Sequence, residues 1–119
     1  MDAEEMKKRT KGFAINCGHL VLSLSKNVIN NAYSNQLVRA SSSVGANYRA
    51  TRRAKSNADF VNKFKIVEEE LDESLFFWEL IAEFNKDKRE RIVLLYKDGD
   101  EILKIIVSTL TTLRKNRSN

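Results

Sequence analysis

Residues 35–60, NQLVRASSSVGANYRATRRAKSNADF, decide how this chain folds. Leu37, Ala40, Val44 and Tyr48 recur at i, i+3, i+7 and i+11, which is one face of a helix. Around them Ser41, Ser42, Ser43, Gly45, Ala46, Asn47 and Ala50 keep the surface thin, so neighbours can approach closely. Arg49, Arg52, Arg53 and Lys55 then crowd the end of the segment, where cations suit the negative end of the helix dipole. Ser56, with Asp59 three residues on, resembles a capping box and announces a new helix. The stretch therefore reads as one helix, a tight corner and the start of an antiparallel neighbour.

The wider composition agrees. The 119 residues contain no proline and four glycines, whereas a β-rich domain of this length needs turn residues every 8–12 positions. A few long helices with short joints are favoured. The apolar fraction of 42% is enough for one core and one domain. Periodicity predicts helices over 2–28, 35–55, 57–84 and 87–115, with a turn in 27–34 (NVINNAYS) capped by Ser34 or Asn35 and a polar, frayed tail over 116–119. The third segment carries a heptad stripe of Phe60, Phe64, Val67, Leu71, Ser74, Trp78 and Ile81. Phe76 and Phe77 widen it until the C-terminal half is apolar on most sides, which implies a central position or a second subunit. In the fourth segment the apolar period runs in phase across Gly99, so we read Asp98-Gly99-Asp100 as helix, close packing offsetting the cost of the glycine. The fold class expected is all-α, an up-down-up-down four-helix bundle.

Charge is segregated along the chain. Residues 1–55 hold ten basic and three acidic residues, residues 56–85 two and eight, residues 86–119 nine and five. The net charge of +5 makes an anionic partner plausible. A single cysteine, Cys17, excludes an internal disulfide framework and suits a reducing compartment. With no apolar run near the ~20 residues of a bilayer span and no secretory h-region, a cytoplasmic protein without membrane contact is expected.

The run Arg39–Leu80, RASSSVGANYRATRRAKSNADFVNKFKIVEEELDESLFFWEL, resembles the bacterial four helix bundle protein family, whose founding members are encoded in intervening sequences of 23S rRNA genes. The upstream FAINCGHLV and the fourth segment fit as well, so the resemblance spans nearly the whole chain. It implies an antiparallel bundle assembled as a homopentamer. A related branch, the accessory proteins of diversity-generating retroelements, implies nucleic acid and a reverse transcriptase as partners.

Each candidate site has a structural alternative. Arg49, Arg52, Arg53 and Lys55 can bind phosphates without sequence choice, or pair within the fold; for Arg52 and Arg53 the two readings stand level. Arg39 is expected to pair with Glu69, Asp72 and Glu73, within the subunit or across an interface. The acidic run Glu68–Glu73 lacks the Glu-x-x-His partners of a carboxylate metal site, so no metal and no other cofactor is expected. Phe64, Leu71, Phe76, Phe77 and Trp78 are read as core or oligomer packing rather than base-stacking residues. Asn47 is expected to hydrogen-bond across the bundle, Cys17 to be buried, and His19 to lie on the surface. With no phosphate-binding glycine loop, metal set or catalytic triad, the chain reads as a non-enzymatic bundle that binds nucleic acid, or alternatively as an interaction scaffold or accessory subunit.

Overall fold

The computed structural model describes residues 2–118. Among them the chain forms four helices, α1 (Ala3–Leu22), α2 (Val28–Thr51), α3 (Asn57–Phe84) and α4 (Arg89–Ser118), with a 3-10 turn at Lys86–Lys88 and no strand. Each helix packs on its neighbour in sequence, and α4 closes back on α1. The result is an antiparallel four-helix bundle measuring 50 × 22 × 21 Å.

Polar side chains start the helices. Asp2, Asn27 and Ser56 each accept a hydrogen bond from the backbone N–H three residues on, at 2.8, 2.8 and 3.1 Å. Each satisfies a donor that the first helical turn would leave orphaned, typically worth about 1 kcal/mol.

The core follows the predicted stripes. Phe64, Val67, Leu71, Ser74, Trp78 and Ile81 of α3 are buried, and face Leu37, Ala40, Val44 and Tyr48 of α2. Ser74, the polar member, donates its hydroxyl to the Glu70 carbonyl at 2.8 Å and so costs little in burial. Trp78 is fully buried and its indole Nε1–H donates to Cys17 Sγ at 3.3 Å. Burial pushes the Cys17 thiol up to about 12, so it behaves as a small core hydrophobe.

Gly99 lies inside α4, as the in-phase apolar period required. A Cβ there would sit 2.7 Å from the Phe13 ring and 2.9 Å from a Leu75 methyl. The glycine lets α4 close onto α1 and α3 around the buried Phe13.

The first joint differs from expectation. The turn occupies Ser23–Asn27, and α2 begins at Val28 rather than Asn35. Ser34 is a buried residue inside α2, not a cap, and Asn27 caps instead. The cause is tertiary. Asn30 and Asn85 exchange amide hydrogen bonds at 2.9 and 2.7 Å, and each also donates to a backbone carbonyl, Ser25 and Ile81, at 2.8 Å. This clasp joins the start of α2 to the end of α3, and it draws an asparagine-rich stretch into helix against its turn preference.

Two other boundaries move. α2 ends at Thr51, so Arg52, Arg53 and Lys55 lie in the turn and only Arg49 stands in the last helical turn. α4 starts at Arg89 after the 3-10 turn and runs to Ser118, beyond the Lys115 expected; Asn119, the last residue of the expected tail, lies outside the described residues. Asn47 does not reach across the bundle. Its amide donates to the carbonyl and hydroxyl of Ser43, one turn back on its own helix, at 3.0 and 2.8 Å.

Candidate nucleic-acid interface

The corner between α2 and α3 is fixed from both sides. On the α2 side, the N–H groups of Arg52 and Arg53 donate back to the carbonyls of Arg49 and Ala50, at 3.3 and 3.0 Å, while the Thr51 hydroxyl donates to the Tyr48 carbonyl at 2.6 Å. On the α3 side, Asp59 accepts from the Lys55 N–H at 2.9 Å and pairs with Lys63 Nζ at 2.7 Å. Lys63 above all, then the Lys55 N–H, hold the Asp59 carboxyl below the usual range.

This arrangement commits the Asp59 carboxylate to Lys63 and to the Lys55 N–H. Arg49, Arg52, Arg53 and Lys55 all remain exposed, and among the described residues none of their side chains makes an ion pair. The middle of the bundle is different. Arg39 binds Glu70 at 3.0 Å and Glu73 at 2.5 Å. Arg9 of α1 binds Asp98 and Glu101 of α4, both at 2.9 Å. Glu73 first, then Glu70, hold the Arg39 guanidinium above its ordinary range. The same is true of Arg9, through Glu101 first and then Asp98, against the opposing effect of burial.

Arg39 thus bridges α2 to α3 as expected, but only one of its three proposed partners takes part. Glu69 and Asp72 are exposed and outside its reach, because the 3.6-residue period puts Glu70 and Glu73 on the edge facing α2 and turns their neighbours away. Among the described residues no group of three or more His, Cys, Asp or Glu side chains is arranged to hold a metal ion.

The aromatic candidates divide. Phe64, Leu71 and Trp78 belong to the core, whereas Phe76 is 52% exposed and Phe77 partly so. Phe76 and Phe77 form, with Tyr33 and the exposed Phe84, a chain of ring contacts with centroids 5.5–6.2 Å apart on the outer side of α2 and α3. That patch lies in the half of the bundle away from the basic corner.

The family can now be read against this geometry. The chain matches the 23S rRNA-intervening sequence proteins over residues 4–108, which takes in all of α2, α3 and the basic corner. The chain belongs to the 23S rRNA-intervening sequence protein family. A crystal structure of a protein of unknown function, from the S23 ribosomal protein family of Bacteroides thetaiotaomicron VPI-5482, shares its fold. That similarity has a TM-score of 0.82 and 30% identity, and covers 93% of this chain and 99% of that one. None of the curated proteins matches the chain.

In this intervening sequence protein, cations beyond the predicted four gather at the same end. Ala3 and Met6 of α1, Arg52, Phe60 of α3 and Thr109 of α4 line one hollow, so the start of α1 and the end of α4 meet the corner there. Lys8 and Lys115 are exposed on those segments. Asp2, Glu4 and Glu5 share the start of α1 and place negative charge at this end as well. The sequence signal for the α4 contribution was the basic end of the chain around Lys115, which the antiparallel topology brings to this end. His19, exposed as expected, lies elsewhere, beside Arg91 and Asp98 between α1 and α4.

Among the described residues no helix is long and apolar enough to cross a membrane.

Proposed function

We propose that this family member is a non-enzymatic, self-associating bundle that binds structured RNA or DNA through the α2–α3 corner. One observation carries the reading. Four exposed cations, Arg49, Arg52, Arg53 and Lys55, make no ion pair among the described residues, while Arg9 and Arg39 are each gripped by two carboxylates. Guanidinium and ammonium groups held this way take phosphates bidentately or as point charges and release counterions when they do. Such binding has little sequence preference.

Self-association rests on a second observation, the ring patch of Tyr33, Phe76, Phe77 and Phe84, in which Phe76 and Phe84 are exposed and Tyr33 and Phe77 partly so. Contiguous exposed aromatics on a small bundle mark a protein contact. A pentamer is the assembly that the resemblance implies, and repetition of the corner would multiply weak phosphate contacts. The same patch supports the second reading, an accessory or scaffold subunit, for example of a reverse transcriptase. A cytoplasmic location suits a chain whose lone cysteine is a buried thiol.

Binding of a structured RNA and a duplex DNA, followed by fluorescence anisotropy at 50 and 200 mM salt, tests the main reading. Four phosphate contacts on a duplex predict an affinity loss of about 100-fold over that range, and Arg52→Ala with Arg53→Ala should halve the logarithmic slope. The double variant should melt like the parent, since both side chains are exposed and unpaired. Salt-independent binding, or none at 50 mM, removes this function. A partner captured after nuclease treatment would then favour the scaffold reading.

A further inference from the structure

A hollow of about 400 Å³ opens beside the basic corner, with Arg52, Lys55, Asn57 and Phe60 in its wall. Phe60 is the one aromatic there. It heads the α3 stripe, yet unlike Phe64 below it, it is only partly buried. Its ring rests on Phe64 with centroids 5.0 Å apart, which fixes its orientation. A second hollow of about 200 Å³ on the other side of the turn is also bordered by Phe60 and Arg52. Phe60 thus borders both hollows together with Arg52. No carboxylate lines the larger hollow. The Thr51 and Ser56 hydroxyls in its wall are already engaged, Thr51 with the Tyr48 carbonyl and Ser56 with the Asp59 N–H. The exposed Asn57 amide is engaged by no other group and offers a donor and an acceptor.

An aromatic face, two cations and an amide in one hollow match the chemistry of a nucleotide whose base is out of the stack: the cations take the phosphates, the ring takes the base, the amide takes a base edge. We propose that this hollow binds an unpaired nucleotide of a nucleic-acid strand, with Phe60 as the stacking platform and Arg52 and Lys55 on the flanking phosphates. The proposal rests on the nucleic-acid reading and narrows it, from any phosphate backbone to one presenting unpaired bases, as loops and bulges of structured RNA do.

The test compares a fluorescent single-stranded 12-mer with an abasic 12-mer of equal charge, each against the full-length wild type, Phe60→Leu, Phe60→Trp and the Arg52→Ala/Arg53→Ala variant. Wild type should bind the strand with bases about 5- to 100-fold tighter than the abasic one. Phe60→Leu, which keeps an apolar contact with Phe64, should lose most of that difference and keep the salt slope; Phe60→Trp should retain or enlarge it. Equal binding of the two strands by wild type, or a Phe60→Leu protein that folds and still discriminates, overturns the stacking site. If arginine-dependent, salt-sensitive binding persists in that case, the phosphate-binding corner survives without it. Absence of binding to either strand at 50 mM salt overturns the stacking site, and absence of binding to the structured RNA and the duplex as well overturns the nucleic-acid reading.

Discussion

Leu71→Asp is expected to abolish cooperative folding. Leu71 stands at the middle of α3, has no solvent exposure and belongs to the continuous core shared by the helices. Aspartate there loses the transfer and cavity terms of a buried leucine, about 2–5 kcal/mol, as Leu→Ala would. It then adds the cost of a carboxyl in an apolar site, either as a buried charge or as a neutral acid forced there by a raised pKa. The two together compete with the whole stability of a domain this size, about 5–15 kcal/mol. Circular dichroism should show lost helicity at 25 °C and no sigmoidal melt, and size-exclusion should show an expanded or aggregated species. Leu71→Ala, which omits the charge, should fold with a lowered melting temperature. A Leu71→Asp protein that melts like the parent would mean that the core is not where the structure puts it.

Gly99→Ala should destabilise although it inserts the best helix former in place of nearly the worst. Propensity alone predicts a gain of up to about 1 kcal/mol. Against this, the new Cβ would lie 2.7 Å from the Phe13 ring and 2.9 Å from Leu75. Phe13 is fully buried and Leu75 nearly so, so neither can swing into solvent, and α4 must move outwards instead. Overpacking of this kind costs about 1–3 kcal/mol, leaving a net loss of up to about 2 kcal/mol. Gly12 supplies the control. A Cβ there meets nothing within 4 Å, so Gly12→Ala should stabilise by about 0.5–1 kcal/mol. Thermal melts of the two variants should therefore shift in opposite directions. A stabilised Gly99→Ala protein would show that α4 does not press against Phe13.

What the sequence made legible, and what it hid, divides along one physical line. Periodic burial was plain: the α3 stripe, the buried face of α4 and the capping role of Ser56 follow from local spacing alone. Tertiary choices were not. Three asparagines and a serine between residues 27 and 34 look like a turn, and only the partner Asn85, more than fifty residues away, shows why Asn30 and Ser34 are inside a helix. The same holds at the site. Clustering of Arg49, Arg52, Arg53 and Lys55 was visible, and so was a pairing role for Arg39. Which carboxylates face Arg39 depends on helix phase to within one residue, so Glu70 replaces Glu69 and Asp72. That the four cations of the corner are left over could be read only after Asp59 was found committed to Lys63 and to the Lys55 N–H. Phe60 looked like one more core residue because its spacing is that of the stripe; its exposure depends on its place at the end of the bundle.

The most direct test of the central claim is a contact map of the bound nucleic acid. Backbone amide chemical shifts, or hydrogen exchange, should be recorded at 50 mM salt with and without a structured RNA. Changes should concentrate on Arg49–Phe60 and be lost in the Arg52→Ala/Arg53→Ala variant. Changes centred on Tyr33, Phe76 and Phe84, or spread evenly with the corner unaffected, would contradict that claim.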